Sequence, residues 1–162
     1  MTERSVIHDT FSLERTYPAA PSRVFAAFAS KEAKDGWGDD PDLGPADDAG
    51  ANTEFNFRPG GRERFGFKYD GRTLSYDAHY YDIVPDQRIV YSYEMYADGA
   101  RISVFGRHDR VRQERRGPWL TWTEQGAYLD GIDGPQAPAS RMQGTAEMLD
   151  GLTRYLTTPP AS

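Results

Sequence analysis

Between Ala51 and Val104, apolar residues recur at every second position. Phe55/Phe57, Phe65/Phe67/Tyr69, Leu74/Tyr76/Ala78/Tyr80 and Ile89/Tyr91/Tyr93/Met95 form four such sets. A period of two marks strands that turn one face to a core. The sets are separated by Pro-Gly-Gly, Asp-Gly, Pro-Asp and Asp-Gly, which suit tight turns between neighbouring strands. The pattern predicts an antiparallel meander with short connections. Two further strands are predicted at Ser5–Pro18, rich in β-branched and aromatic residues, and at Pro118–Leu129.

Elsewhere the spacing changes to three and four. After the first strand, PAAPSRVFAAFAS carries Pro21 in a first-turn position and an apolar face of Val24, Phe25 and Phe28. A second short helix is expected over KEAKDGWG, ending at glycine, followed by a loop over Asp39–Gly50. Near the C-terminus, SRMQGTAEMLDGLTRYLTT predicts a long helix. Ser140 with Gln143 reads as a capping box, and Met142, Thr145, Leu149, Leu152 and Leu156 form the buried stripe. No repeat or interdomain linker interrupts residues 1–162, so one domain is expected. A curved sheet with one wet face must bury the other, and this helix is the long amphipathic element available to cover it.

Composition narrows the picture. Aromatic residues make up 13% of a chain that is 38% hydrophobic, so rings supply much of the buried area. A net charge of -6 argues against nucleic acid or an anionic membrane as the main partner. There is no cysteine, which removes disulfides, thiolate catalysis and Cys-ligated metal. No leader pattern or membrane-span-length apolar run is present, and a soluble cytoplasmic protein is expected. His8, His79 and His108 have no ligand spacing, and the acidic loop Asp39, Asp40, Asp42, Asp47, Asp48 lacks the closing glutamate of a calcium loop. Neither a metal nor a cofactor is expected. RPGGRERFG reads as a hairpin turn, not as a phosphate cradle.

The order of strand, two short helices, meander and long terminal helix resembles the helix-grip proteins (START-like, Bet v 1-like). Within them it is most similar to the activator-of-Hsp90-ATPase-homologue-like family. The resemblance is carried by PAAPSRVFAAFAS, EFNFRPGGRERFGF, DIVPDQRIVYSYEM, LTWTEQGAYLDG and GTAEMLDGLTRYL. It implies an α+β helix-grip fold, with a curved antiparallel sheet wrapped around the terminal helix and a hydrophobic cavity between them. The family usually has Trp after the helix glycine, where this chain has Thr145; that departure would enlarge the cavity.

Alternating rings usually just pack. Here, however, many inward positions carry a hydroxyl or indole N–H, and buried polar tips need partners. A site for a hydrophobic or aromatic small molecule, lipid-like or polyketide-like, would be lined by Trp37, Phe57, Phe67, Tyr80, Tyr91, Tyr93, Trp122, Met148 and Leu152. Glu124 is in phase with Leu120 and Trp122 and should point inward. It is either an acid or base paired with a tyrosine hydroxyl, as in a cyclase or hydrolase, or an end-of-strand glutamate reaching solvent or an arginine. A chaperone-associated role follows from the family's name. It is a property of larger members with an additional domain, and partnership with an Hsp90-type chaperone is not expected here. A homodimer stays open.

One stretch breaks the pattern. FGRHDRVRQERRG, within Arg101–Trp122, carries Arg107, Arg110, Arg112, Arg115 and Arg116, and neither strand face is apolar. Three readings compete: a basic patch for an acidic partner, an exposed loop with a frayed mobile edge, or a compensated frameshift over Phe105–Arg116. With GC-favoured codons, one base lost after Val104 and regained before Pro118 allows Ser-Val-Ala-Thr-Ile-Glu-Phe-Ala-Lys-Asn-Gly-Ala, which is an alternating strand and turn.

Overall fold

The computed structural model describes residues 4–38, 44–45 and 53–158. β1 (Val6–Thr16) leads into α1 (Pro21–Ala26) and α2 (Lys31–Gly38). Two short strands follow, β2 (Gly44–Pro45) and β3 (Glu54–Phe55), and then the meander: β4 (Arg62–Tyr69), β5 (Arg72–Val84), β6 (Arg88–Ala97), β7 (Ala100–Glu114) and β8 (Gly117–Leu129). α3 (Ala137–Thr157) ends the fold. All pairings are antiparallel, in the order β1-β8-β7-β6-β5-β4-β2, with β3 also on β4. This is the expected helix-grip arrangement, an open curved sheet gripping the terminal helix.

The turn chemistry explains the meander. Tyr69 pairs with Arg72 and Ala97 with Ala100, so each hairpin has a two-residue loop. Both residues of each loop have positive φ: 50° and 74° at Asp70-Gly71, 49° and 84° at Asp98-Gly99. Asp-Gly tolerates that geometry, whose twist matches the strands. Leu149, Leu152 and Leu156 of α3 lie in one core with Ala78, Ile89, Phe105, Leu120 and Trp122 of the sheet. α2 and α3 touch closely, since a Cβ on Gly151 would stand 2.6 Å from the Trp37 carbonyl oxygen.

Three expectations are corrected. α3 begins at Ala137, with Pro138 in its first turn and no side-chain cap at Gln136, so Ser140 lies inside the helix rather than at its cap. Its inward positions are Ala137, Arg141, Thr145, Leu149, Leu152 and Leu156, while Met142 is 43% exposed. The inward position of that turn is Arg141, four residues before Thr145, and Met142 beside it faces out. Gly44 and Pro45, expected in a loop, pair with Lys68 and Phe67; the five aspartates of that segment lie outside the described residues.

The arginine stretch is the third correction. β7 runs 15 residues in the interior of the sheet, registered on β6 from Arg88↔Arg110 to Ala97↔Ala100 and on β8 down to Glu114↔Gly117. It is therefore neither an exposed loop nor a frayed edge. Phe105, Arg107, Asp109 and Val111 face inward and are buried. His108, Arg110 and Arg112 face the convex side. The inward face is made tolerable by pairing: Arg107 Nε and Nη2 donate to Asp109 Oδ1 and Oδ2, both at 2.9 Å. The inward Arg107 and Asp109 satisfy each other, while His108 Nε2 and Arg112 Nε are buried with no hydrogen-bond partner among the described residues. Peptide mass mapping of the purified protein is expected to return Phe105–Arg116 as it stands in the sequence. A segment mass that fits the frame-shifted alternative instead would establish the frameshift.

Candidate functional site on the concave face

Strand parity places the rings on the concave face in two rows. The first crosses five strands: Phe65 stacks on Tyr76 (centroids 4.9 Å apart), Tyr76 meets Tyr93 (5.0 Å), Tyr93 stacks on Phe105 (5.3 Å), and Phe105 meets Tyr128 edge-on (5.1 Å). The second joins Phe57 to Tyr80 (5.3 Å) and Tyr80 to Tyr91 (5.2 Å). It continues through Arg107, whose guanidinium lies over the rings of Tyr91 and Trp122, to Phe28 and Trp37. Such spacings are what cross-strand neighbours in an antiparallel sheet produce.

Set among the rings are three buried carboxylates. Glu124, 2% exposed, accepts the Tyr93 hydroxyl at 2.8 Å and the Trp122 indole N–H at 3.1 Å. Arg141 of α3 donates to the same Tyr93 oxygen at 3.1 Å and to Ser103 Oγ at 3.3 Å, so a relay Arg141→Tyr93→Glu124 ties the helix to the sheet. Asp109 holds Arg107 and accepts Tyr91 Oη at 3.4 Å. Glu63 accepts the Tyr80 hydroxyl at 3.2 Å and is ion-paired to Lys34 of α2. Each carboxylate has a cation directly or through one hydroxyl, as burial of charge requires.

These surroundings shift the titrations. Burial, with Glu63 next, pushes the Tyr76 and Tyr80 hydroxyls well above the usual phenol range; burial and Glu124 do the same for Tyr93. Burial also raises Tyr91, which Arg107 opposes. For Arg107, burial works against the charge, but Asp109 and the surrounding tyrosines outweigh it, so its pKa rises above the ordinary value.

Of the residues expected to line a site, Tyr80, Tyr91, Tyr93, Trp122 and Glu124 meet on this face, and Leu152 is fully buried beneath α3. Phe57 packs at the margin of the main core, and Phe67 belongs to a smaller cluster with Leu74, Ala97 and Ile102. Trp37 is buried at one end, where its N–H donates to the Ala27 carbonyl at 2.7 Å; it seals the seam between α2 and α3. Met148 is 40% exposed and points away from the core. His79 lies on the outer side near Asp77. Cover is incomplete beside β4 and β5, where Phe65 is 38% exposed and Phe67 and Tyr76 are half-buried.

Glu63, Arg107, Asp109 and Arg141 were not foreseen as site residues. Each had a signal: Glu63 is in phase with Phe65 and Phe67, Arg107 and Asp109 with Phe105 and Val111, and Arg141 lies four residues before Thr145. Charge masked that phase. Among the described residues, no group of three or more His, Asp or Glu is placed to hold a metal ion, and no helix is long and apolar enough to cross a membrane.

A family model described as activator of Hsp90 ATPase homolog 1-like protein matches residues 18–157. Among solved structures, an uncharacterised protein from Rhizobium leguminosarum is 38% identical with a TM-score of 0.81, the match covering 96% of this chain and 98% of that one. A protein from Rhizobium loti is 42% identical with a TM-score of 0.80, covering 94% and 99%. One from Chromobacterium violaceum, 23% identical with a TM-score of 0.73, covers 93% and 98% and shares the fold. A search among curated proteins finds no match.

Proposed function

The chain belongs to the activator of Hsp90 ATPase homologue 1-like family, and from that premise we propose that it binds a hydrophobic or aromatic small molecule between the sheet and α3. The observation that carries this reading is the make-up of the concave face: rings across five strands, with oriented hydroxyl, indole and guanidinium donors among them. A core selected for packing alone would use Leu, Ile and Val and avoid three buried carboxylates. Binding sites combine apolar area with a few placed polar groups. The thinly covered side at Phe65 and Tyr76 is the route of entry, and the rings there shift to admit the ligand.

Native mass spectrometry of the purified protein is expected to show a co-purifying small-molecule adduct. In a thermal-shift screen of aromatic and lipid compounds, a ligand at 100 times its Kd contributes about 2.7 kcal/mol. That corresponds to a rise in Tm of roughly 5–11 °C for a chain of this size. If neither adduct nor shift appears, a protein-interaction role, in the sense of the family's description, takes its place.

A second reading, acid–base catalysis by Glu124 and Tyr93, draws on their 2.8 Å contact. Both Glu124 oxygens are engaged, however, which suits an acceptor that orients its neighbours. Incubating the recovered molecule with fresh protein separates the two. An unchanged molecule supports binding; a change that disappears in Glu124→Gln supports catalysis.

A further inference from the structure

We propose that the ligand of the concave face carries a carboxylate or another oxyanion, held by the free edge of the Arg107 guanidinium in the middle of the sheet. The proposal rests on the small-molecule reading above and specifies the polar group of that molecule.

Arg107 projects inward from the interior strand β7. Its two bonds to Asp109 use Nε and Nη2, one edge of the planar fork, and the described residues give Nη1 no partner. The rings of Tyr91 and Trp122 hold the plane, so the direction of the free edge is set. Exposure differs within the pair as well. Asp109 is 1% exposed, whereas Arg107 keeps 8%. Both groups are buried, the guanidinium slightly less than the carboxylate.

The surrounding hydroxyls sharpen the chemistry. Tyr80, Tyr91 and Tyr93 each direct the hydroxyl at a carboxylate, so their protons are already committed. Tyr76, half-buried and close enough to Arg107 for their charges to influence one another, has no hydrogen-bond partner among the described residues. The uncommitted groups on this face include Arg107 Nη1 and the hydroxyls of Tyr76 and Tyr128. An ionised carboxylate, enolate or phenolate only accepts, and a guanidinium edge is the matching donor. A neutral hydroxyl or amide can place its own donor on a tyrosine oxygen, but it pairs less strongly with the guanidinium than an oxyanion does. Arg141 is the other inward cation; Tyr93 and Ser103 each accept one N–H from its two terminal nitrogens, which fixes its orientation.

The test compares two acids with neutral counterparts of similar shape: 2-naphthoic acid against 2-acetylnaphthalene, and dodecanoic acid against its methyl ketone, by calorimetry with the full chain. Each acid is expected to bind at least ten-fold more tightly than its ketone. The preference should vanish in Arg107→Met/Asp109→Leu, which removes both charges together. It should be reduced in Arg107→Lys, which keeps the charge without the fork and serves as the second variant if the double one does not fold. Equal binding of acid and ketone, or a preference that survives in a folded double variant, overturns the oxyanion inference and leaves the small-molecule reading standing. No binding by any of the four compounds overturns both.

Discussion

Raising the pH above 10 is expected to unfold the protein in one cooperative step, with tyrosinate absorbance appearing as the fold is lost. Six tyrosines have their hydroxyl pKa raised in the folded state, chiefly by burial: Tyr17, Tyr76, Tyr80, Tyr91, Tyr93 and Tyr128, the last pushed up to about 12. Below pH 10 these groups are protonated in both states and the linkage costs nothing. Above it, the unfolded chain ionises while the folded one does not. The folded state then holds more protons, and stability falls as pH rises. Each tyrosine contributes about 1.4 kcal/mol per pH unit, so six acting together remove about 8 kcal/mol per unit from a stability of about 5–15 kcal/mol. Absorbance at the tyrosinate band and near-UV circular dichroism, followed together, check this. Gradual ionisation of these tyrosines with the dichroism intact would show that the concave face is wet.

Replacing Asp109 with alanine is expected to lower stability by about 3–5 kcal/mol. The Arg107–Asp109 pair is almost fully dry, with side chains 7% and 2% exposed. Arginine cannot shed its proton to escape burial, so the variant strands a charge in the centre of the sheet, and Tyr91 loses its acceptor as well. The change has a control built in. Arg107→Met/Asp109→Leu removes the desolvation cost along with the attraction and leaves only the Tyr91 hydroxyl without its acceptor, so it is expected to be clearly less destabilising than Asp109→Ala. Urea denaturation of both variants measures the two effects. A loss under about 1 kcal/mol in Asp109→Ala would mean that water reaches the pair.

Much of the fold was legible without coordinates because its signals are local. Period-two rings, Asp-Gly turns and the leucine spacing of the last helix each report on a few neighbouring residues. Trp122, Tyr80, Tyr91, Tyr93 and Glu124 were placed on one face by parity alone. The failures share a cause. Met148 and Met142 were assigned inward on apolarity, and Arg141 was passed over on charge, because which residues of each turn meet the sheet depends on how the helix docks against it. The arginine stretch failed in the same way. Its phase runs unbroken from Phe105 through Arg107 and Asp109 to Val111, but a strand face carrying both charges looks unburiable until the two are seen to neutralise each other.

From the sequence alone came the element order, the antiparallel meander and the single gripping helix, consequences of short-range patterning and turn chemistry, and, by resemblance, the family. Only the tertiary structure decided which charges are buried and with whom. Residues apart in sequence, such as Lys34 with Glu63 or Arg141 with Tyr93 and Glu124, meet through folding, and their free energy depends on distances that no local pattern encodes.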